Sequence, residues 1–174
     1  FFFKQKTAYE DYKVTGVQTC ALPILDALAA RLASERKAKI PLSLIEEGRR
    51  AAQGNDVNAL IEADTAFHKA IYEASGNPYI VETAMLHWIH LRRVMGAVHQ
   101  NKLGRSGIWD EHAAIVKAIH DGDADSAASL SEKHTDMARE SLVFTLSNHE
   151  IEPLRDRKST RLNSSHLVIS YAVF

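Results

Sequence analysis

The sequence is poor in cysteine, in net charge and in long apolar runs, and each shortage removes a class of protein. One cysteine, Cys20, occurs in 174 residues, so no internal disulfide framework can form and an intracellular setting is unopposed. The formal charge of −1 gives no basic field with which this stretch could grip nucleic acid by itself. Apolar residues make up 45% of the chain, but they recur at helical spacing and are broken by charges. They never reach the roughly 20-residue run that a bilayer span needs. A cytoplasmic, membrane-free protein is therefore expected. No segment sustains apolar and polar alternation, so no strands are expected either.

The two ends read differently from the middle. Residues 16–24 (GVQTCALPI) resemble the translation of a synthetic sequencing-library adapter, and residues 4–10 resemble its outer part. Residues 156–166 (DRKSTRLNSSH) resemble the reverse complement in translation, continued by residues 169–174. Residues 1–24 and 156–174 are accordingly expected to be adapter read-through and not biology. Cys20 and four of the six phenylalanines belong to these tails. Residues 25–155 then form one domain, large enough for a real core and too small for two. That span carries 15 Lys and Arg against 19 Asp and Glu, a formal charge of −4, and contains no internal repeat or low-complexity tract.

Within the span the apolar periodicity predicts helices over residues 25–36 and 42–53, separated near Pro41, with Gly54, Asn55 and Asp56 as a stop and a new cap. A stronger helix is expected over 57–74, where Leu60, Ala63, Phe67, Ala70, Ile71 and Ala74 form one stripe. Gly76 suits the left-handed residue that ends it, Asn77 a cap for the next helix, and Pro78 that helix's first turn. The next helix, from 79 to about 101, is apolar on two sides: Ile80, Ala84, Trp88, Leu91, Met95 and Val98 on one, Met85, Leu86 and Ile89 on the other. Such a helix is central or faces a partner chain. Helices over 108–121 and from a cap at Asp123 to about 146 complete an all-α, antiparallel bundle of six or seven helices.

Asp64 and His68 differ by four residues, about 40° of rotation, and project from one side of their helix at the edge of the apolar stripe. His112 lies among Ile108, Ile115 and Ile119. His134 lies with Ala127, Leu130, Met137, Ala138 and Ser141. An imidazole buried on an apolar face without a partner costs about 1–3 kcal/mol, so each requires one. A single inward histidine is commonly satisfied by a hydrogen bond in a core. An aspartate and three histidines from three helices, all inward, point instead to one divalent ion held by Asp64, His68, His112 and His134. Zinc leads a set that also includes nickel, manganese and iron, since ligand type alone does not choose among them. Four protein ligands around an octahedral ion would leave two positions for water or an anionic ligand.

The remaining histidines read as structural or surface residues. Arg92 and Arg93 lie between the two apolar sides of their helix, where one could turn inward and clasp a carboxylate bidentately; the alternative is a solvated pair whose stems cover apolar surface. Glu111 adjoins His112, but successive helical residues diverge by about 100°, so it is expected to point away.

The pattern DxxFH at residues 64–68, the turn Ser75-Gly76-Asn77-Pro78, Glu111-His112 and His134 together resemble the C-terminal ligand-sensing domain of GntR-type transcription regulators of the FadR subfamily. The resemblance covers nearly all of residues 25–146. It implies an all-α bundle that binds a divalent metal through Asp64, His68, His112 and His134, and a small organic acid above it, with Arg92 or Arg93 as effector clamp. It also implies a homodimer that reaches operator DNA only through an amino-terminal winged helix-turn-helix. Here that domain is expected to be missing and the first sensing helix truncated, so no DNA-binding or catalytic residues are expected. The alternatives are a metal-dependent hydrolase, which would need a general base at the open position, and a bundle with a purely structural metal.

Overall fold

The computed structural model describes residues 8–98 and 105–149, with side chains described for most of them. Six α-helices occupy these residues: α1 (Ala8–Glu35), α2 (Ser43–Gln53), α3 (Val57–Ala74), α4 (Pro78–Val98), α5 (Arg105–Asp121) and α6 (Ala124–His149). No strand occurs among the described residues. The all-α expectation holds, and α3 has the expected bounds. The helix expected over 25–36 instead starts at Ala8 and runs through Pro23. Its continuation lies in the segment that resembles a translated adapter.

The boundaries follow local chemistry. Asp56 stays extended and its Oδ1 accepts from the amides of Asn58 (2.8 Å) and Ala59 (3.2 Å), satisfying two donors that would otherwise be orphaned at the start of α3. Gly76 takes φ of +67° just past α3, a conformation open to glycine at no steric cost. Asn77 then caps α4 through Oδ1, which accepts from the Tyr79 amide at 3.0 Å. Gly122 (φ +77°) and Asp123, which accepts from the Ser126 amide at 3.1 Å, repeat the device between α5 and α6.

α1 packs along α6 and also against α3, α4 and α5. Its inner face is made of Ala29, Ala30 and Ala33, all fully buried, and small side chains let helices approach closely. α2 packs across α3 and α5. At that crossing Gly48 lies under the buried Trp109 indole, where a Cβ would fall 2.0 Å from the ring. Phe67, Ile71, Tyr72, Trp88, Trp109, Ile115 and Ile119 fill the centre. Burial of side chains this large, at about 1.5–3 kcal/mol each, dominates the stability of the bundle.

On α4 the first apolar side is buried through Ile80, Ala84 and Trp88, whereas Leu86 and Ile89 of the second are exposed. His120 bridges from α5 to the loop after α1, its Nε2 accepting from the Ile40 amide at 3.0 Å. That is a structural role, as its sequence position suggests. No helix among the described residues is long and apolar enough to cross a membrane.

Candidate metal centre

Three helices bring the four sequence-derived residues together. α3 presents Asp64 and His68 one turn apart, α5 presents His112 and α6 presents His134. All are buried, with exposures of 7%, 3%, 0% and 6% respectively. His112 Nε2 lies 3.0 Å from His134 Nε2 and 3.5 Å from Asp64 Oδ1, and His68 Nε2 lies 4.0 Å from the same oxygen. One nitrogen of each histidine falls within 4.8 Å of the others. Ligands at about 2.1 Å from one ion stand roughly 3.0–3.4 Å apart when adjacent and about 4.2 Å when opposite. The three separations above fall within that span, and a cation shared by the three histidines would draw the widest of their nitrogens, within 4.8 Å of one another, slightly closer together.

The outer nitrogens explain why the inner ones converge. Asp26 of α1 places Oδ1 3.4 Å from His68 Nδ1, and Glu111 of α5 places Oε2 2.8 Å from His134 Nδ1. A carboxylate facing Nδ1 fixes the proton there and leaves Nε2 with a lone pair directed inward. Lone pairs aimed at one another across 3.0 Å repel unless a proton or a cation lies between them. The donor set, three imidazoles beside a carboxylate, suits a divalent metal. The His112 ring is held by stacking on Phe67 (centroids 3.9 Å apart) and by the edge of Trp109 at 4.6 Å. Its Nδ1 has no hydrogen-bond partner among the described residues.

Electrostatics separates two of the imidazoles, His112 and His68. His112 is pushed well below the ordinary histidine value by burial first, then by the neighbouring His134 and His68 rings. It stays neutral, as a ligand must. Burial also depresses His68, but the Asp26 carboxylate, with its hydrogen bond, and then Asp64 outweigh it and raise the group overall. Tyr72, raised well above the usual phenol range by burial and then by Asp26, accepts a hydrogen bond from Trp88 Nε1 at 3.0 Å. Asp26 is thereby tied into a buried polar chain that ends on His68.

A cavity of about 290 Å³ opens beside the cluster. Asp26, Asp64, His68, Glu111 and His134 form its polar wall, and Leu22, Trp88, Leu91 and Met95 contribute to its apolar one. Two placements differ from the sequence expectations. Glu111 faces the cavity: the Cα direction separates it from His112 by about 100°, but α6 lies on that side, so the long side chain reaches His134. Arg92 is half exposed and pairs with Glu62 on α3; it does not line the cavity. The side chain of Arg93 lies outside those described. The arginine in the cavity wall, among the described residues, is Arg139.

Asp26 was missed because in sequence it is one charge interrupting a short apolar run. Its position on the same α1 face as Ala29, Ala30 and Ala33 was the available signal.

A family model described as the FCD domain matches residues 22–137 of this chain. The chain belongs to the FCD domain family. FCD domains are the C-terminal, ligand-sensing domains of GntR-family transcription regulators, which agrees with the resemblance seen in the sequence. All four candidate ligands and both outer carboxylates fall inside the match. This FCD domain is also similar to the HTH-type transcriptional repressor NanR of Klebsiella aerogenes, at 31% identity over 108 residues, covering 60% of this chain and 42% of the relative. The chain thus spans less than half the length of that relative.

Proposed function

We propose that this FCD domain senses a small organic acid through a bound divalent metal ion, zinc first among the candidates, held by Asp64, His68, His112 and His134. The observation that carries the proposal is the convergence of three buried imidazoles, two of them oriented by carboxylates, on a point that opens into a cavity. The metal would supply positive charge and open coordination positions. The chain's own residues hold the imidazoles in the ligating tautomer, exclude bulk water with Trp88, Leu91 and Met95, and shape the space for an anion. In the whole regulator, effector binding would change operator affinity by favouring one of two helix arrangements, a coupling of about 1–3 kcal/mol. Operator contact would fall to a winged helix-turn-helix of the whole regulator. Exposed Leu86 and Ile89 on α4 offer an apolar face for a second copy. The regulator is placed in the cytoplasm, where operators are.

The cavity favours sensing over a purely structural ion, which needs no adjoining space. Hydrolysis is disfavoured because Glu111, the nearest spare acid, is committed to His134 Nδ1 and so orients a ligand.

Titration of the wild type with zinc, then with a short carboxylate, tests the proposal. The wild type is expected to bind one zinc per chain and then the acid, whereas His134→Ala loses both. Equal zinc affinity in the two proteins overturns it. Asp26→Asn is expected to weaken zinc binding roughly 10–100-fold, the usual effect of removing an outer carboxylate that orients a histidine ligand. Competition with a chromogenic chelator measures this, and an affinity unchanged within twofold removes Asp26 from the site.

A further inference from the structure

The charges around the cavity do not balance without two cations. Its wall carries three carboxylates, Asp26, Asp64 and Glu111, and one permanently cationic side chain, Arg139. An acid entering that field is repelled unless positive charge meets each of its carboxylates. A divalent ion at the imidazole cluster provides one such charge. Arg139 lies five residues beyond His134 on α6, about 7.5 Å further along the axis, and outside residues 22–137, the part matched to the family. It stands one turn after Thr135 and one turn before Leu142, both of which line the same cavity.

Its side chain is held in place. Asp136, one turn earlier, sits 3.2 Å from Arg139 Nε, which draws the guanidinium back along α6 towards its amino-terminal end, the direction in which helical side chains naturally lean; Asp136 itself lines a separate surface groove. That contact uses Nε and leaves the edge formed by Nη1 and Nη2 outside it, one of the two edges through which a guanidinium binds carboxylates bidentately. The side chain is one-third exposed, so it reaches the cavity from its rim. Building on the sensing function proposed above, we infer that Arg139 is the anchor for a second carboxylate and makes the cavity selective for dicarboxylic over monocarboxylic acids. The first carboxylate meets the metal end, the chain of the acid lies along Trp88, Leu91 and Met95, and the second carboxylate meets Arg139.

The test uses glutarate and valerate, which share a five-carbon chain and differ in the second acid group, titrated calorimetrically into zinc-loaded protein. The wild type is expected to prefer glutarate by roughly tenfold or more, the factor carried by one charge-assisted contact. Arg139→Gln is expected to erase the preference, bringing glutarate down to the level the same variant shows for valerate while zinc affinity stays unchanged, and Arg139→Lys to keep part of the preference. A wild type that binds both acids equally, or an Arg139→Gln variant that keeps the preference, overturns the inference and leaves acid sensing intact. A zinc-loaded wild type that binds neither acid overturns both.

Discussion

Zinc is expected to raise the unfolding temperature of this domain by about 8–16 °C when its free concentration is a thousandfold above Kd, and His112→Ala is expected to erase that increment. The size follows from linkage: a ligand bound only by the folded state adds about 4 kcal/mol under those conditions, and each kcal/mol moves a domain of this size by roughly 2–4 °C. His112 is the most informative position because it is fully buried, is neutral for reasons of burial, and touches both His134 and Asp64. Its removal also leaves a void beside Phe67 and Trp109, which lowers the metal-free stability on its own. The discriminating quantity is therefore the difference between melts with zinc and with chelator, protein by protein. A wild type that melts at the same temperature in both would count against a metal centre.

The second large effect is expected at Gly48→Ala. In an exposed helix this exchange stabilises by about 1 kcal/mol, but here the added methyl would sit 2.0–2.1 Å from three atoms of the Trp109 six-membered ring. The ring cannot yield as the end of a flexible side chain would, since it is buried and packed against Phe67 and His112. Overpacking of this kind costs about 1–3 kcal/mol and can exceed that, so the clash outweighs the gain in helix propensity. Destabilisation should be accompanied by weaker zinc binding, because displacement of Trp109 disturbs the His112 ring. Urea unfolding and zinc titration of the same variant check both parts, and an unchanged midpoint would show that α2 and α5 separate at little cost.

Local chemistry made much of this readable before any fold was known. The Asp56, Asn77 and Asp123 caps and the positive-φ glycines 76 and 122 are decided within a few residues of chain, as is the inward face of α3 that carries Asp64 and His68. The two-sided character of α4 was also legible. Which side would be covered was not, because that depends on the neighbouring helices and not on the wheel.

What the sequence by itself determined is the set of helices, their ends and the direction of each short, inward-facing side chain, since these follow from a 3.6-residue period and from backbone groups that must be satisfied nearby. Tertiary structure alone decided that Asp26 meets His68, that Glu111 reaches His134, that Arg92 turns to Glu62, and that Arg139 stands over the cavity. Three of these four involve long side chains, whose charged heads lie several bonds from the Cβ direction the period fixes. All four depend on which helices are neighbours, which no single helical wheel records.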